Sequence, residues 1–442
     1  MPVNQLKITP ENLKAINYFM IFLGVYIGIS GFLEFSYVSN VLVQDKFIRA
    51  LSIVYIFCCI IFLLIFLFPL KYIKINILNP SKLQLASVLL FLSGIVGSVI
   101  YEDFNGASQS VRFLSYFMLF CFFNLIVKYY GVEKAKRLLL KLLIPILVIA
   151  IAAGLYDIVF HVGLNMNGAF RIGGSIGSPV GYACLIYIGV FSYVLMNKCK
   201  LVLPVIITTI MASFIVVYTG TRSVAVGFFV SILIVVFFRG KVSLIKAVGF
   251  VGFIASIIVL LYLTIDFSNT ELINRFDGLA SGNLAADSST SFRLFVIEQV
   301  IDNFQSHHLV FGYGMGGFPV WFNENTGVDN VAPHFEILWL FFEFGIMGFL
   351  IYMYLIYSAV KSISRNFYSG AISRQERLLA VLIVFSHMLW FQFANPFYFY
   401  QFGLLYFSVL GIYTGNIKTY QVKLHNNSLI PLNRGIPARL YQ

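Results

Sequence analysis

Charge is what this sequence has least of. Only 11% of its 442 residues are Asp, Glu, Lys or Arg, whereas 60% are hydrophobic, and the mean hydropathy is +0.88. That balance excludes a water-soluble globular chain and a disordered one, and it defines a polytopic membrane protein. Cysteine is also scarce. Cys58, Cys59, Cys121, Cys184 and Cys199 fall in apolar segments or in a turn, so neither a disulfide framework nor a metal-ligand spacing is present. No metal and no cofactor is expected. Internal repeats and low-complexity segments are absent as well. The polar stretch Met1 to Lys14 leads into a full-length apolar segment, which reads as a retained anchor rather than a cleaved leader.

Long apolar runs are abundant. Crossing a bilayer takes about 17 to 25 residues of helix, and such runs lie near 16–34, 50–69, 83–100, 111–128, 139–160, 179–197, 201–218, 223–238, 244–265, 334–359, 378–395 and 397–416. The expectation is an all-α integral membrane protein of about twelve transmembrane helices, with residues 1–442 as a single polytopic domain. Residues 266–333 form one long, partly helical external loop, and 417–442 a polar tail. Lys and Arg set the orientation: 23 fall on the face that holds both termini and 7 on the other, Lys46, Arg49, Arg112, Arg171, Arg222, Arg275 and Arg293. Positive charge stays inside, so both termini are expected in the cytoplasm. The net charge of +12 is then largely topological, and it implies contact with anionic membrane lipid rather than nucleic acid.

The few polar features on the external side carry the chemistry. Arg171 lies in Phe170-Arg171-Ile172-Gly173-Gly174-Ser175, a glycine-rich approach expected to leave backbone N–H groups accessible. Arg222 occupies the tight turn Thr219-Gly220-Thr221-Arg222-Ser223, and Arg293 a helix expected over about Ser289 to Asn303, capped by Ser288 or Ser289. His334 follows Pro333 at the expected start of a span. Arginine binds phosphate through paired planar hydrogen bonds, so three guanidinium groups on one face point to an anionic, lipid-linked substrate. A pyrophosphate fits best. His334 is the group suited to take a proton from an incoming hydroxyl, and exposed aromatics such as Tyr313, Phe318, Trp321 and Phe322 suit sugar rings. Each residue also has a plainer reading: headgroup snorkelling for Arg171 and Arg222, loop or intrahelical pairing for Arg293, a helix cap for His334, packing for the aromatics. His307 and His308 read as loop surface, the run Gly312 to Gly317 as a turn without a nucleotide fingerprint, and Glu102-Asp103 as a weak candidate cation site.

Four motifs in order carry a family resemblance: Thr-Gly-Thr-Arg-Ser at 219–223, Ser-Phe-Arg at 291–293, Phe-Gly-Tyr-Gly-Met-Gly-Gly-Phe at 311–318, and His334 followed by Glu343-Phe344-Gly345-Ile346-Met347-Gly348. Over about Arg171 to Gly348 the chain resembles the bacterial O-antigen ligase and polymerase superfamily, whose members are multi-helix membrane glycosyltransferases that use polyprenyl-linked donors. That likeness implies Arg222, Arg293 and His334 as the catalytic trio, with Arg171, Tyr313 and Trp321 binding substrate. It further implies an inner-membrane enzyme of lipopolysaccharide biosynthesis with a periplasmic active site, and undecaprenyl-pyrophosphate-linked glycans as donor and acceptor. A chain-length regulator protein is a possible partner. Many relatives place Asn after the histidine where this chain has Phe335. Repeat-unit polymerisation is the favoured activity; transfer of finished polymer to lipid A-core by a ligase, and a lipid-linked glycan flippase or transporter, are the alternatives.

Overall fold

A computed structural model describes residues 10–38, 41–44, 46–68, 82–100, 107–166, 169–237, 288–328, 335–391 and 394–415. The expected span at 244–265, the tail at 417–442, Glu102-Asp103 and His334 lie outside the described residues. Each of the other eleven expected spans contains a helix. In chain order these are α1 (Pro10–Glu34), α2 (Lys46–Leu67), α3 (Lys82–Ile100), α4 (Ala107–Tyr130), α5 (Val132–Val159), α6 (Pro179–Met196), α7 (Leu203–Tyr218) and α8 (Arg222–Phe237). Helices α9 (Ser288–Asn303) and α10 (Gly317–Thr326) follow, and then α11 (Glu336–Tyr368), α12 (Arg374–Leu389) and α13 (Tyr400–Thr414). Six helices, α1, α3, α4, α5, α6 and α11, contain a stretch long and apolar enough by itself to cross a membrane. Two antiparallel hairpins complete the fold, β1 (Phe35–Val38) with β2 (Val41–Gln44) and β3 (Leu164–Met166) with β4 (Ala169–Arg171), the latter pairing Leu164 with Arg171.

The core forms around α6. Ser178 precedes Pro179 at its start and its hydroxyl accepts from the Gly181 N–H, a favoured helix opening. Nearly every residue of α6 is buried, because α5, α7, α8, α12 and α13 pack around it. A helix apolar on all sides is stable only in such a position. Charges separate to the two ends of the bundle. At one end Lys136 pairs with Glu376, which also accepts from the Tyr413 hydroxyl at 3.2 Å, and Lys198 meets Glu133 at 3.2 Å. Glu376 also completes a capping box at the start of α12, with Ser373. The other end carries the β3–β4 hairpin, Arg171 and Arg222.

Helix α11 departs from expectation in two ways. It starts at Glu336, with Phe335 in the N-cap position, two residues beyond the expected start at His334. Its 33 residues would span about 50 Å as a straight rod, well beyond a ~30 Å hydrocarbon layer. Instead it is interrupted at Gly345, where φ is 65° and ψ −171°. This conformation is open to glycine and closed to residues with a Cβ. The break exposes four backbone groups, and each is met by the glycine-rich segment before α10. Tyr313 N and Gly314 N donate to the carbonyls of Phe342 and Glu343, at 2.8 and 3.0 Å; Ile346 N and Met347 N donate to those of Leu309 and Val310, at 2.9 and 3.2 Å. Irregular backbone at a membrane is tolerated only where its polar groups are satisfied within the protein. Gly312, Gly314 and Gly316 all take positive φ, so the run read as a turn is a backbone plug seated in a broken helix.

Candidate active site

Arg171 and Arg222 come together although 50 residues separate them in sequence. The hairpin ends at Arg171, and Ile172 N donates to the carbonyl of Tyr218, the last residue of α7. The Arg171 side chain then lies beneath the turn between α7 and α8. Its Nε donates to the Thr219 carbonyl at 2.8 Å and its Nη2 to the Thr221 hydroxyl at 3.4 Å. Gly220, at φ 65°, leaves room for this: a Cβ there would stand 2.9 Å from Arg171 Nε. Both of these acceptors are neutral. Burial pushes the Arg171 guanidinium down to about 10, and the like charge of Arg222 adds to that shift.

Arg222 is half-buried and is the first residue of α8. A cation there opposes the helix dipole, which favours anions at the N-terminus. Two guanidinium groups beside a helix N-terminus are chemistry suited to an anion. The glycine-rich approach contributes differently from expectation. Gly174 N donates to the Asp157 carboxylate at 2.8 Å, and the N–H groups of Ile176 and Gly177 bond to carbonyls of the same turn. Those donors hold the turn closed and are not offered to a ligand.

Arg293, Tyr313 and Trp321 belong to a second unit. Helix α9 starts at Ser288, one residue before the expected Ser289, so both serines expected as caps lie within its first turn, and Arg293 is half-buried on it. Val296 and Val300 of α9 pack with Phe318, Trp321 and Phe322 of α10 against Phe342 of α11. Tyr313 lies in the middle of this aromatic block, with the His308 ring 3.6 Å from one side at 14° and the Phe342 ring at 4.3 Å and 8°. Its hydroxyl accepts from Gln305 N at 3.3 Å. Trp321 is buried against Phe342, with ring centroids 4.7 Å apart. Both stacked faces of Tyr313 are occupied, so a sugar would meet its edge. His307 is exposed as expected, but His308 is buried, which corrects its reading as loop surface. Burial pushes the His308 imidazole down to about 4, against an opposing pairing with the Gly312 carbonyl, and the neighbouring His307 lowers it further. Its signal in the sequence was its spacing of five residues from Tyr313 across the turn that brings the two rings together.

Among the described residues no group of three or more His, Cys, Asp or Glu is placed to hold a metal ion, and all five cysteines are free. Sequence reasoning missed Arg112 and Glu336 as individuals. Both are buried, at 2% and 1% exposure; the available signal was an ionisable residue at the head of an apolar helix.

These features define an integral membrane protein of the helical, multi-span class, with its arginines and aromatic unit set around α7, α8 and the broken α11. A family model described as O-Antigen ligase matches residues 207–353, from early α7 to the middle of α11. The match supports membership in the O-antigen ligase and polymerase superfamily. It takes in Arg222, Arg293, Tyr313, Trp321 and His334; Arg171 precedes it. No curated protein matches the chain. Members of this family are membrane enzymes of glycan transfer.

Proposed function

We propose that this protein polymerises lipid-linked oligosaccharide repeat units, using undecaprenyl-pyrophosphate-linked glycan as both donor and acceptor. The observation that carries the reading is the Arg171–Arg222 pair at the start of α8, which fits a pyrophosphate. In the reaction the acceptor hydroxyl oxygen bonds to the anomeric carbon of the donor glycan. The bond from that carbon to the pyrophosphate oxygen breaks, and its electron pair leaves with the pyrophosphate. Arg222, Arg171 and Arg293 neutralise the charge that develops on the leaving group. His334 accepts the hydroxyl proton and passes it to water. Tyr313 and Trp321 border the glycan through ring edges. No step requires a metal, since guanidinium groups fill the role that cations play in many phosphate departures. The orientation that keeps positive charge inside places both termini in the cytoplasm and this chemistry at the periplasmic face of the inner membrane. A chain-length regulator is a candidate partner.

Ligation of finished polymer to lipid A-core would use the same donor site, and the matched family's description names a ligase. A gel of surface glycan separates the readings, using cells that lack the gene and are complemented with wild type, Arg222→Ala or His334→Ala. Wild type restores a long ladder, and each variant leaves a single repeat unit on the lipid. Loss of all capped lipid with accumulating polymer would assign a ligase. A normal ladder from either variant would remove that residue from the reaction.

A further inference from the structure

Beyond the break at Gly345, one face of α11 changes character along its length. Ile346, Leu350, Met353, Tyr354 and Tyr357 recur at spacings of three and four residues, so they share a side of the helix, and all five are exposed. From Ile346 to Tyr357 this apolar strip rises about 16 Å, close to the hydrocarbon depth of one leaflet, about half of ~30 Å. The same face then turns polar. Lys361, Ser364, Arg365 and Tyr368 continue the spacing, and with Ser369 they line an open groove of about 390 Å³. A tyrosine at the changeover, followed one turn later by a cation, is the pattern of a membrane interface.

Three cations border this groove. Lys361 Nζ donates to the Tyr357 hydroxyl at 3.4 Å and lies 5.5 Å from the centroid of that ring. Arg365 is exposed one turn further on. Arg377 of α12 lies over the Phe367 and Tyr368 rings, 4.9 and 5.4 Å from their centroids, so the Tyr368 wall of the groove carries a guanidinium. No carboxylate is among the lining residues. The sequence has no Asp or Glu between Glu343 and Glu376, and Glu376 is engaged by Lys136, the Tyr413 hydroxyl and Ser373 N. Asn366, next to Arg365, donates to the Tyr413 carbonyl at 2.8 Å, which places the groove at the Lys136–Glu376 end of the bundle.

The groove and the strip select a ligand together. Ammonium, guanidinium and hydroxyl donors suit phosphate oxygens, and the exposed apolar face suits an acyl chain. A soluble anion would use the groove alone and a neutral lipid the strip alone. A lipid with an anionic phosphate headgroup uses both.

We propose that this groove binds one anionic glycerophospholipid of the leaflet at the Lys136–Glu376 end, its phosphate held by Lys361, Arg365 and the Ser364 hydroxyl and one acyl chain lying along Ile346 to Tyr357. The site stands at the opposite end of the bundle from the arginine pair and does not rest on glycan transfer.

The test uses full-length protein in detergent, stripped of lipid, with phosphatidylglycerol, phosphatidylcholine and inorganic phosphate as probes. Native mass spectrometry counts bound lipid, and the melting temperature follows stability. Phosphatidylglycerol should bind at one molecule per chain and raise the melting temperature, phosphatidylcholine should bind more weakly, and millimolar inorganic phosphate should do neither. The double variant Lys361→Gln, Arg365→Gln should weaken phosphatidylglycerol binding by about thirtyfold, the scale of removing two interfacial cations, with the lipid-free melting temperature unchanged. Arg137→Gln, Lys141→Gln removes an exposed pair of the same spacing from α5 at the same end, and should leave that binding unchanged. Equal weakening by the two double variants would mean diffuse attraction to basic residues and overturns the site. Equal binding of the two lipids overturns it too, as does stabilisation by inorganic phosphate that matches phosphatidylglycerol. Ser364→Glu, which puts a like charge beside the phosphate, should also weaken phosphatidylglycerol; unchanged affinity there overturns the assignment even if the first double variant folds poorly.

Discussion

The arginine pair and the polar groups around Glu336 are both assembled from distant segments, but they differ in sign and in burial: Arg222 is half-buried, Glu336 fully buried. At Arg171 and Arg222 two guanidinium groups lie within electrostatic range of each other, and a helix N-terminus adds to the positive field. At Glu336 donors and acceptors are mixed, with a second acid, Glu343, and a guanidinium, Arg112, within electrostatic range. Polar groups in a membrane protein thus divide by sign and by burial, which is more informative than their number.

The sharpest way to break the comparison is on the arginine side. Arg222→Ala should lower turnover by about 10²–10³, the cost of removing one preorganised donor from a developing anion, with folded protein retained in a size-exclusion profile. An equal loss in Glu336→Gln through weaker donor binding would dissolve the distinction. Gly345→Ala should act on the fold: its Cβ would collide with the Val310 carbonyl at a positive φ. About 3 kcal/mol of destabilisation is expected from strain plus clash, read as a lowered melting temperature with turnover per folded molecule preserved. A smaller, local effect is expected of Gly220→Ala, which presses on Arg171 Nε at 2.9 Å in a φ of 65°. About 1–3 kcal/mol of strain would displace that guanidinium and raise the donor KM.

The smallest effect is one of pH. His308 holds its imidazole neutral in the docked loop, at about 4 against an ordinary 6.5. A depressed base of this kind costs nothing above pH 6.5. As pH falls from 6.5 towards 4 the opened loop gains a proton that the docked loop refuses, so docking weakens. Hydrogen exchange over 304–316 should therefore be faster at pH 5 than at pH 7.5, and His308→Phe should flatten that dependence.

Much of the bundle was legible because apolar length alone marks a helix in a membrane. The arginines were legible as residues on one face, and Arg171 and Arg222 meet, yet their contact depends on a hairpin of which no local pattern spoke. Other features depend on partners far away in sequence. The run at 312–317 looked like a turn because the backbone it satisfies, at Phe342 to Met347, lies some thirty residues on. Tyr313 and Trp321 looked like platforms for sugars because their aromatic partner, Phe342, is part of an apolar helix. Glu336 carries no local pattern of its own in the sequence, and only its burial, at the head of α11, sets it apart.

The plug at 309–314 also bears on how the chain is made. Synthesis delivers residues 309–314 before the broken stretch of α11, whose backbone at 342–347 they bind. A ribosome-fed α11 therefore presents its break to a segment already synthesised, which closes a loop of about thirty residues. Closing a loop of that size is far faster than translation at about 5–20 residues per second. The segment at 309–314 is consequently at hand as soon as the break emerges, so the order of the chain sets the order of assembly.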